Sequence, residues 1–176
     1  MVMQRALTVE DFLALPETKP GLEFFNGQVI QKPVTNADHI RIVWRLSAAF
    51  FAYAATHGGS GGPEGSVALQ DGLETDVLLP DFAFWAEGVA LGDYPLNPPT
   101  LAVEVRSPSQ SMAAQREKCE IYVRRGVGEA WLIDPATEQL EVIHPGSTWQ
   151  LFAGGNTVVE SSSLPGFAMA LSAIFA

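Results

Sequence analysis

The chain has one cysteine, half as many cations as acids, and no apolar run that approaches the length of a membrane span. With Cys119 alone there can be no intramolecular disulfide and no cysteine-based zinc knuckle, which is compatible with a reducing compartment. Cys119 itself reads as a small core residue rather than a nucleophile. The three histidines, His39, His57 and His144, show no zinc-like spacing. Apolar runs such as residues 48–55 fall well short of the ~18 residues a bilayer demands, and the first residues lack an apolar signal core with a cleavage site. A cytoplasmic protein without membrane attachment is expected. No Gly-x-Ser-x-Gly elbow surrounds Ser107 or Ser109, and neither a Walker loop nor a dinucleotide fingerprint occurs. Ten Lys and Arg stand against twenty Asp and Glu, a net charge of −10. That is the reverse of the basic footprint of a nucleic-acid binder. Net charge bears on association rather than fold, however, and a local basic site can sit inside an acidic protein.

What is present is enough apolar material for a core: 47% of 176 residues are hydrophobic. No repeat or low-complexity linker divides the sequence, so one domain over residues 1–176 is expected. Thr8 and Asp11 resemble the cap of a short helix that Pro16 and Pro20 close. Residues 22–25 and 28–31 flank Asn26-Gly27, the strongest short hairpin signal. From about Asn36 to His57, Ile40, Val43, Trp44, Ser47, Phe50, Phe51 and Ala54 recur at helical spacing, and Gly58-Gly59 ends the run. Residues 61–63 read as loop, and 92–99 as a Pro-rich loop. Strands are expected at 66–70, 81–85 and 100–106, a helix over 110–125, and short strands at 130–133, 139–144, 149–152 and 157–160. Residues 164–175 are apolar, with a final helical turn. The fold class is α/β (α+β): a mixed β-sheet flanked by helices, with an N-terminal hairpin.

Two carboxylates stand out by position. Asp81 follows Pro80 and opens an apolar strand, while Glu104 lies inside Leu101-Ala102-Val103-Glu104-Val105, where a charge is costly unless paired or metal-bound. Side chains alternate along a strand, so Glu104 and Arg106 share one face and Val103 and Val105 the other. On residue type alone other roles stay open. Asp81 can be a strand-end carboxylate, Glu104 a buried partner of Arg106 or Lys118, Lys118 a solvated helix residue, and Glu23 a cross-strand surface carboxylate. His39 reads as a helix-start or interfacial histidine rather than a base.

The order of short motifs resembles the Uma2 family, a bacterial branch of the PD-(D/E)XK nuclease superfamily. The matching words are Leu22-Glu23-Phe24-Phe25-Asn26-Gly27, His39, Pro80-Asp81, Val103-Glu104-Val105-Arg106-Ser107-Pro108-Ser109, Lys118 with Tyr122, and Gly126-Val127 leading to Trp131-Leu132-Ile133-Asp134-Pro135. The resemblance implies a restriction-endonuclease-like core and a metal-dependent endonuclease that hydrolyses DNA. It places Mg²⁺ or Mn²⁺ on Asp81 and Glu104, with Lys118 orienting or deprotonating the attacking water. Glu23 is the third acid, beside the metal or its waters. Arg106 stands where the superfamily places its lysine; being always protonated, it suits holding a substrate phosphate rather than taking a proton. A homodimer is also implied.

One departure is Ala114, at a position where the family usually carries Asp. It supports an alternative: a nuclease fold without catalysis that binds nucleic acid or protein. A third reading, a structural dimerising domain, would rest on the apolar residues near Trp131 and the C-terminus. The charge is also unevenly spread. Residues 106–125 hold five of the ten cations against Glu117 and Glu120, a net of +3, leaving −13 for the rest.

Overall fold

A computed structural model of the chain describes residues 7–176. Residues 1–6, where the sequence shows no signal-like core and where the expected domain begins, lie outside the described residues. Helix α1 (Val9–Leu13) starts in the expected capping box: the Asp11 N–H donates to Thr8 Oγ1 and the Thr8 N–H to Asp11 Oδ2. Strands β1 (Leu22–Phe25) and β2 (Gln28–Gln31) form the hairpin around Asn26 and Gly27. Both turn residues have positive φ, as a type I′ turn requires. Strand β1 continues through β5 (Glu74–Leu78) to β4 (Val67–Asp71), giving a four-stranded antiparallel sheet of order β2-β1-β5-β4.

The larger sheet has the order β10-β9-β8-β7-β6-β3. Its strands are β3 (Ser60–Gly62), β6 (Phe82–Trp85), β7 (Leu101–Val105), β8 (Glu129–Asp134), β9 (Gln139–Ile143) and β10 (Gln150–Ala153). It is mixed: β7 and β8 run parallel, joined by the crossover helix α3 (Met112–Arg124), and the other pairs are antiparallel. A small ribbon, β11 (Val158–Glu160) with β12 (Ala168–Ala170), leads into α4 (Leu171–Phe175).

Alternation along the central strands sorts the core in two. Phe82, Phe84, Val103, Val105, Trp131 and Ile133 cluster with Ile42, Leu46 and Phe50 of the long helix α2 (Ala37–His57). Ala83, Trp85, Ala102, Ala130 and Leu132 cluster instead with Cys119, Ile121 and Tyr122 of α3 and with Val67, Leu69 and Leu78 of the smaller sheet. Phe50 is central to the first cluster, its ring stacked 4.2 Å from Phe167 and tilted against Phe82 at 4.8 Å. Burial of such a ring contributes roughly 1.5–3 kcal/mol. Cys119 is fully buried, as a small core residue. Trp131, Leu171 and Ile174 are internal as well, so the apolar residues that suggested a dimerising surface are consumed by the core.

Three strands differ from the sequence reading. At β3, Gly61 and Gly62 belong to an edge strand rather than a loop; a Cβ at Gly61 would sit 2.5 Å from the Ala83 carbonyl oxygen, so glycine is what lets the strand close on β6. At β5, polar Glu74 and Asp76 mask the strand pattern, and β12 is too short to carry one. Among the described residues no helix is long and apolar enough to cross a membrane.

Candidate active site

Glu104 sits on the α3 side of β7, because its neighbours Val103 and Val105 face α2. Lys118 and Tyr122 are four residues apart on α3 and therefore share one helix face, the one over Glu104. The Tyr122 hydroxyl donates to Glu104 Oε1 at 2.7 Å, and Lys118 Nζ lies 2.9 Å from the same oxygen. The antiparallel register pairs Phe82 with Val103, so one step outward brings Asp81 level with Glu104. The Val105 N–H donates to Asp81 Oδ2 at 2.7 Å and holds it there. Glu23 arrives from the other sheet: its Oε1 accepts from Lys118 Nζ at 2.6 Å and from the Leu79 N–H at 2.8 Å. All four expected residues, Glu23, Asp81, Glu104 and Lys118, are thus buried in one cluster drawn from four chain segments.

Two further side chains complete it. Lys32, just past β2, donates to Asp81 Oδ1 and to the Leu79 carbonyl, both at 2.5 Å. His39, on the first turn of α2, sits with Nε2 3.1 Å from Asp81 Oδ2. Asn36 caps that turn by accepting from the His39 N–H at 2.9 Å, which fixes the ring's starting point. The interfacial reading of His39 therefore understates its contact with the cluster. Lys32 carries no sequence signal beyond being a cation at the end of a hairpin.

Electrostatics separate the members. Burial disfavours the charged form of Asp81, yet Lys32, His39 and Lys118 outweigh it and hold the pKa well below the usual carboxylate range. For Glu104 burial wins; its pKa is raised, with Asp81 and Glu23 adding to the effect and Lys118 and Lys32 opposing it. Lys118 is pulled down by burial and pushed up further by Glu104, Glu23 and Asp81, so its ammonium stays protonated. Tyr122 is raised by burial and by Glu104, so it remains a hydroxyl donor.

The cations of residues 106–125 are mostly spent inside the protein. Arg106 donates through Nε and Nη2 to Asp134 Oδ1 and through Nη1 to the Gln110 carbonyl. It does not join the carboxylate cluster. Arg116 pairs with Glu141 and Arg125 with Asp76, so with Lys118 four of the five cations meet internal carboxylates. Ala114 is exposed, one turn before Lys118, where its N–H donates to the Ser111 cap.

A cleft of about 690 Å³ opens over Asp81 and Lys32. Its walls come from α1 and the residues after it, from residues 32–35, and from Glu64, Ser66 and Tyr94. Among the described residues no three His, Cys, Asp or Glu side chains converge on one metal position. A cage built wholly of protein is therefore not on offer, but hydrated Mg²⁺ commonly uses only one or two carboxylates. Glu104 Oε2 and Glu23 Oε2 accept no hydrogen bond among the described residues, whereas both Asp81 oxygens are taken, Oδ1 by Lys32 and Oδ2 by the Val105 N–H and His39. The oxygen donors of Asp81, Glu104 and Glu23 are of the type a hard divalent ion takes.

Among solved structures the chain is similar to "a putative nuclease belonging to DUF820 from Anabaena variabilis ATCC 29413". The TM-score is 0.85 at 21% identity, covering 96% of this chain and 97% of that one, which establishes a common fold. No curated protein matches the chain. The family model described as "Putative restriction endonuclease" matches residues 9–172, nearly all of the described sequence. With a restriction-endonuclease-like fold and that match across its length, the chain belongs to the Uma2 family.

Proposed function

We propose that the chain is a metal-dependent phosphodiesterase that cuts DNA, its single domain of residues 1–176 carrying the whole site. The observation that carries this reading is a cluster of three buried carboxylates, Glu23 and Glu104 on Lys118 and Asp81 on Lys32, with Asp81 and Lys32 lining an open cleft, an arrangement whose desolvation cost stability alone does not require. Asp81 and Glu104 are the residues to hold Mg²⁺ or Mn²⁺. Such an ion, when bound, polarises the scissile phosphate and makes water more acidic. Lys118 stays protonated, so it donates to the attacking water or a phosphate oxygen and is not the base. Glu23 keeps that ammonium aimed at Glu104. For Arg106 the proposal is narrower than the sequence reading: it fixes the strand end through Asp134, and Lys32 is the cluster cation that lines the cleft. Purified protein with Mn²⁺ should nick single-stranded or duplex DNA, and chelation or Asp81→Ala should stop it. No cleavage, or cleavage undiminished in Asp81→Ala, contradicts the reading.

A second reading, a non-catalytic module that binds nucleic acid or protein, draws on Ala114 and on the Lys32 and His39 side chains that already occupy Asp81. Calorimetry separates the two, since this reading predicts no Mn²⁺ binding at millimolar concentration. Cytoplasmic location and a homodimer belong to the same proposal. Ile40, Trp44 and Phe51 stand exposed along α2 beside the edge strand β3, a surface suited to a second copy. Sedimentation as an 18.9 kDa monomer would count against the dimer.

A further inference from the structure

Three cationic or potentially cationic side chains touch the carboxylate cluster, and they are held differently. Lys118 lies on the rigid crossover helix, with Glu23 and Glu104 both on its ammonium. His39 is fixed by a capped helical turn. Lys32 follows the end of a short hairpin strand, and among the described residues its ammonium donates to Asp81 Oδ1 and one backbone carbonyl. Of the three, Lys32 alone lines the open cleft. It also occupies a carboxylate oxygen that a metal at Asp81 needs.

We propose that Lys32 is a displaceable stand-in for the divalent ion: it neutralises Asp81 when no metal is bound, yields that oxygen when one binds, and is then presented to a substrate phosphate in the cleft. The inference rests on the metal-dependent reading above. The charges require such an exchange. Glu23, Asp81 and Glu104 face Lys32 and Lys118, so the cluster is already nearly balanced without metal. Adding two positive charges beside an ammonium at the same oxygen leaves like charges in contact in a poorly solvated site, which is strongly unfavourable. Moving Lys118 would strip two buried carboxylates at once. Moving Lys32 frees one oxygen, and the cleft gives its ammonium a solvated place to go. A lysine ammonium is also a common point-charge partner for phosphate.

The test is the Mn²⁺ affinity of the full chain, measured by titration calorimetry for the wild type, Lys32→Met and Lys32→Arg. Without the competing charge, Lys32→Met should bind Mn²⁺ more tightly by about tenfold, equivalent to about 1.4 kcal/mol. Lys32→Arg, which keeps the charge, should stay near the wild type. Lys32→Gln, which keeps a donor for the Leu79 carbonyl, provides the same comparison should the methionine variant fail to fold. If the wild type binds Mn²⁺ and both neutral variants bind it equally or more weakly, Lys32 is not a competitor and the inference falls. If no protein in the series binds Mn²⁺, the metal-dependent reading falls and takes this inference with it.

Discussion

Glu23 and Lys118 are 95 residues apart in sequence and 2.6 Å apart in the folded chain. One belongs to the small sheet and the other to the crossover helix of the large one, so this contact ties the two sheets together at the cluster. Replacing Lys118 with methionine leaves Glu23 and Glu104 buried without their shared cation. A loss of about 3–5 kcal/mol at neutral pH is expected, as for other broken buried pairs. The sign of the pH dependence is diagnostic. In Lys118→Met the stranded carboxylates gain protons more readily in the folded state, so its stability should rise as pH falls from 7 towards 5. Thermal melts across that interval check both the size and the slope.

Glu104→Gln should separate function from stability. The amide keeps an acceptor for the Tyr122 hydroxyl while removing a charge whose burial is already unfavourable. The melting temperature should be unchanged or higher, whereas Mn²⁺ binding and DNA cleavage should be lost. A variant that melts several degrees lower would show that the charge itself is a structural requirement.

The Arg106 and Asp134 pair is expected to behave as a strut. Arg106→Lys gives up the forked contact to Asp134 and the Gln110 carbonyl, at about 1–3 kcal/mol. Mn²⁺ affinity should be unaffected. Burial disfavours charged Asp134, but Arg106, Thr137 and the Ala136 N–H lower its pKa overall, and Asp81 is lowered as well. Groups with depressed folded values contribute stability that is present above the ordinary carboxylate range and lost on acidification through the folded values. Asp134→Asn should therefore flatten the acid limb of a stability profile taken below pH 4.

Glu129 provides a test away from the cluster. It is fully buried, with Trp131 Nε1 donating to Oε1 and Ser161, Ser162 and the Ser163 N–H donating to Oε2. Glu129→Ala leaves these donors unpaired, so a loss of at least about 3 kcal/mol is expected in denaturant titration. DNA cleavage by the folded fraction should persist.

These residues also mark what the sequence could and could not reveal. The hairpin was legible because Asn26-Gly27 has a local conformational requirement, and α2 because its apolar spacing repeats over 21 residues. Asp81 and Glu104 were legible because a carboxylate in an apolar strand contradicts its surroundings. Lys32 and Glu129 contradict nothing nearby; Asp81 lies 49 residues from Lys32, and the three serines on Glu129 Oε2 lie 32–34 residues away, so only the assembled fold brings them together. Strand β3 was hidden for the opposite reason: Gly61 answers to Ala83 and Phe84 across the sheet rather than to its neighbours in sequence. The expected phosphate role of Arg106 rested on correct strand alternation, but alternation is blind to Asp134, which the parallel neighbour β8 brings alongside.

The most direct test of the account is the anomalous diffraction signal from a crystal soaked in Mn²⁺. A single peak bonded to carboxylate oxygens of Asp81 and Glu104, with the Lys32 ammonium moved off Asp81 Oδ1, is the predicted result. Full occupancy of manganese elsewhere, with the pair of lysines still seated on an unchanged cluster, would contradict it.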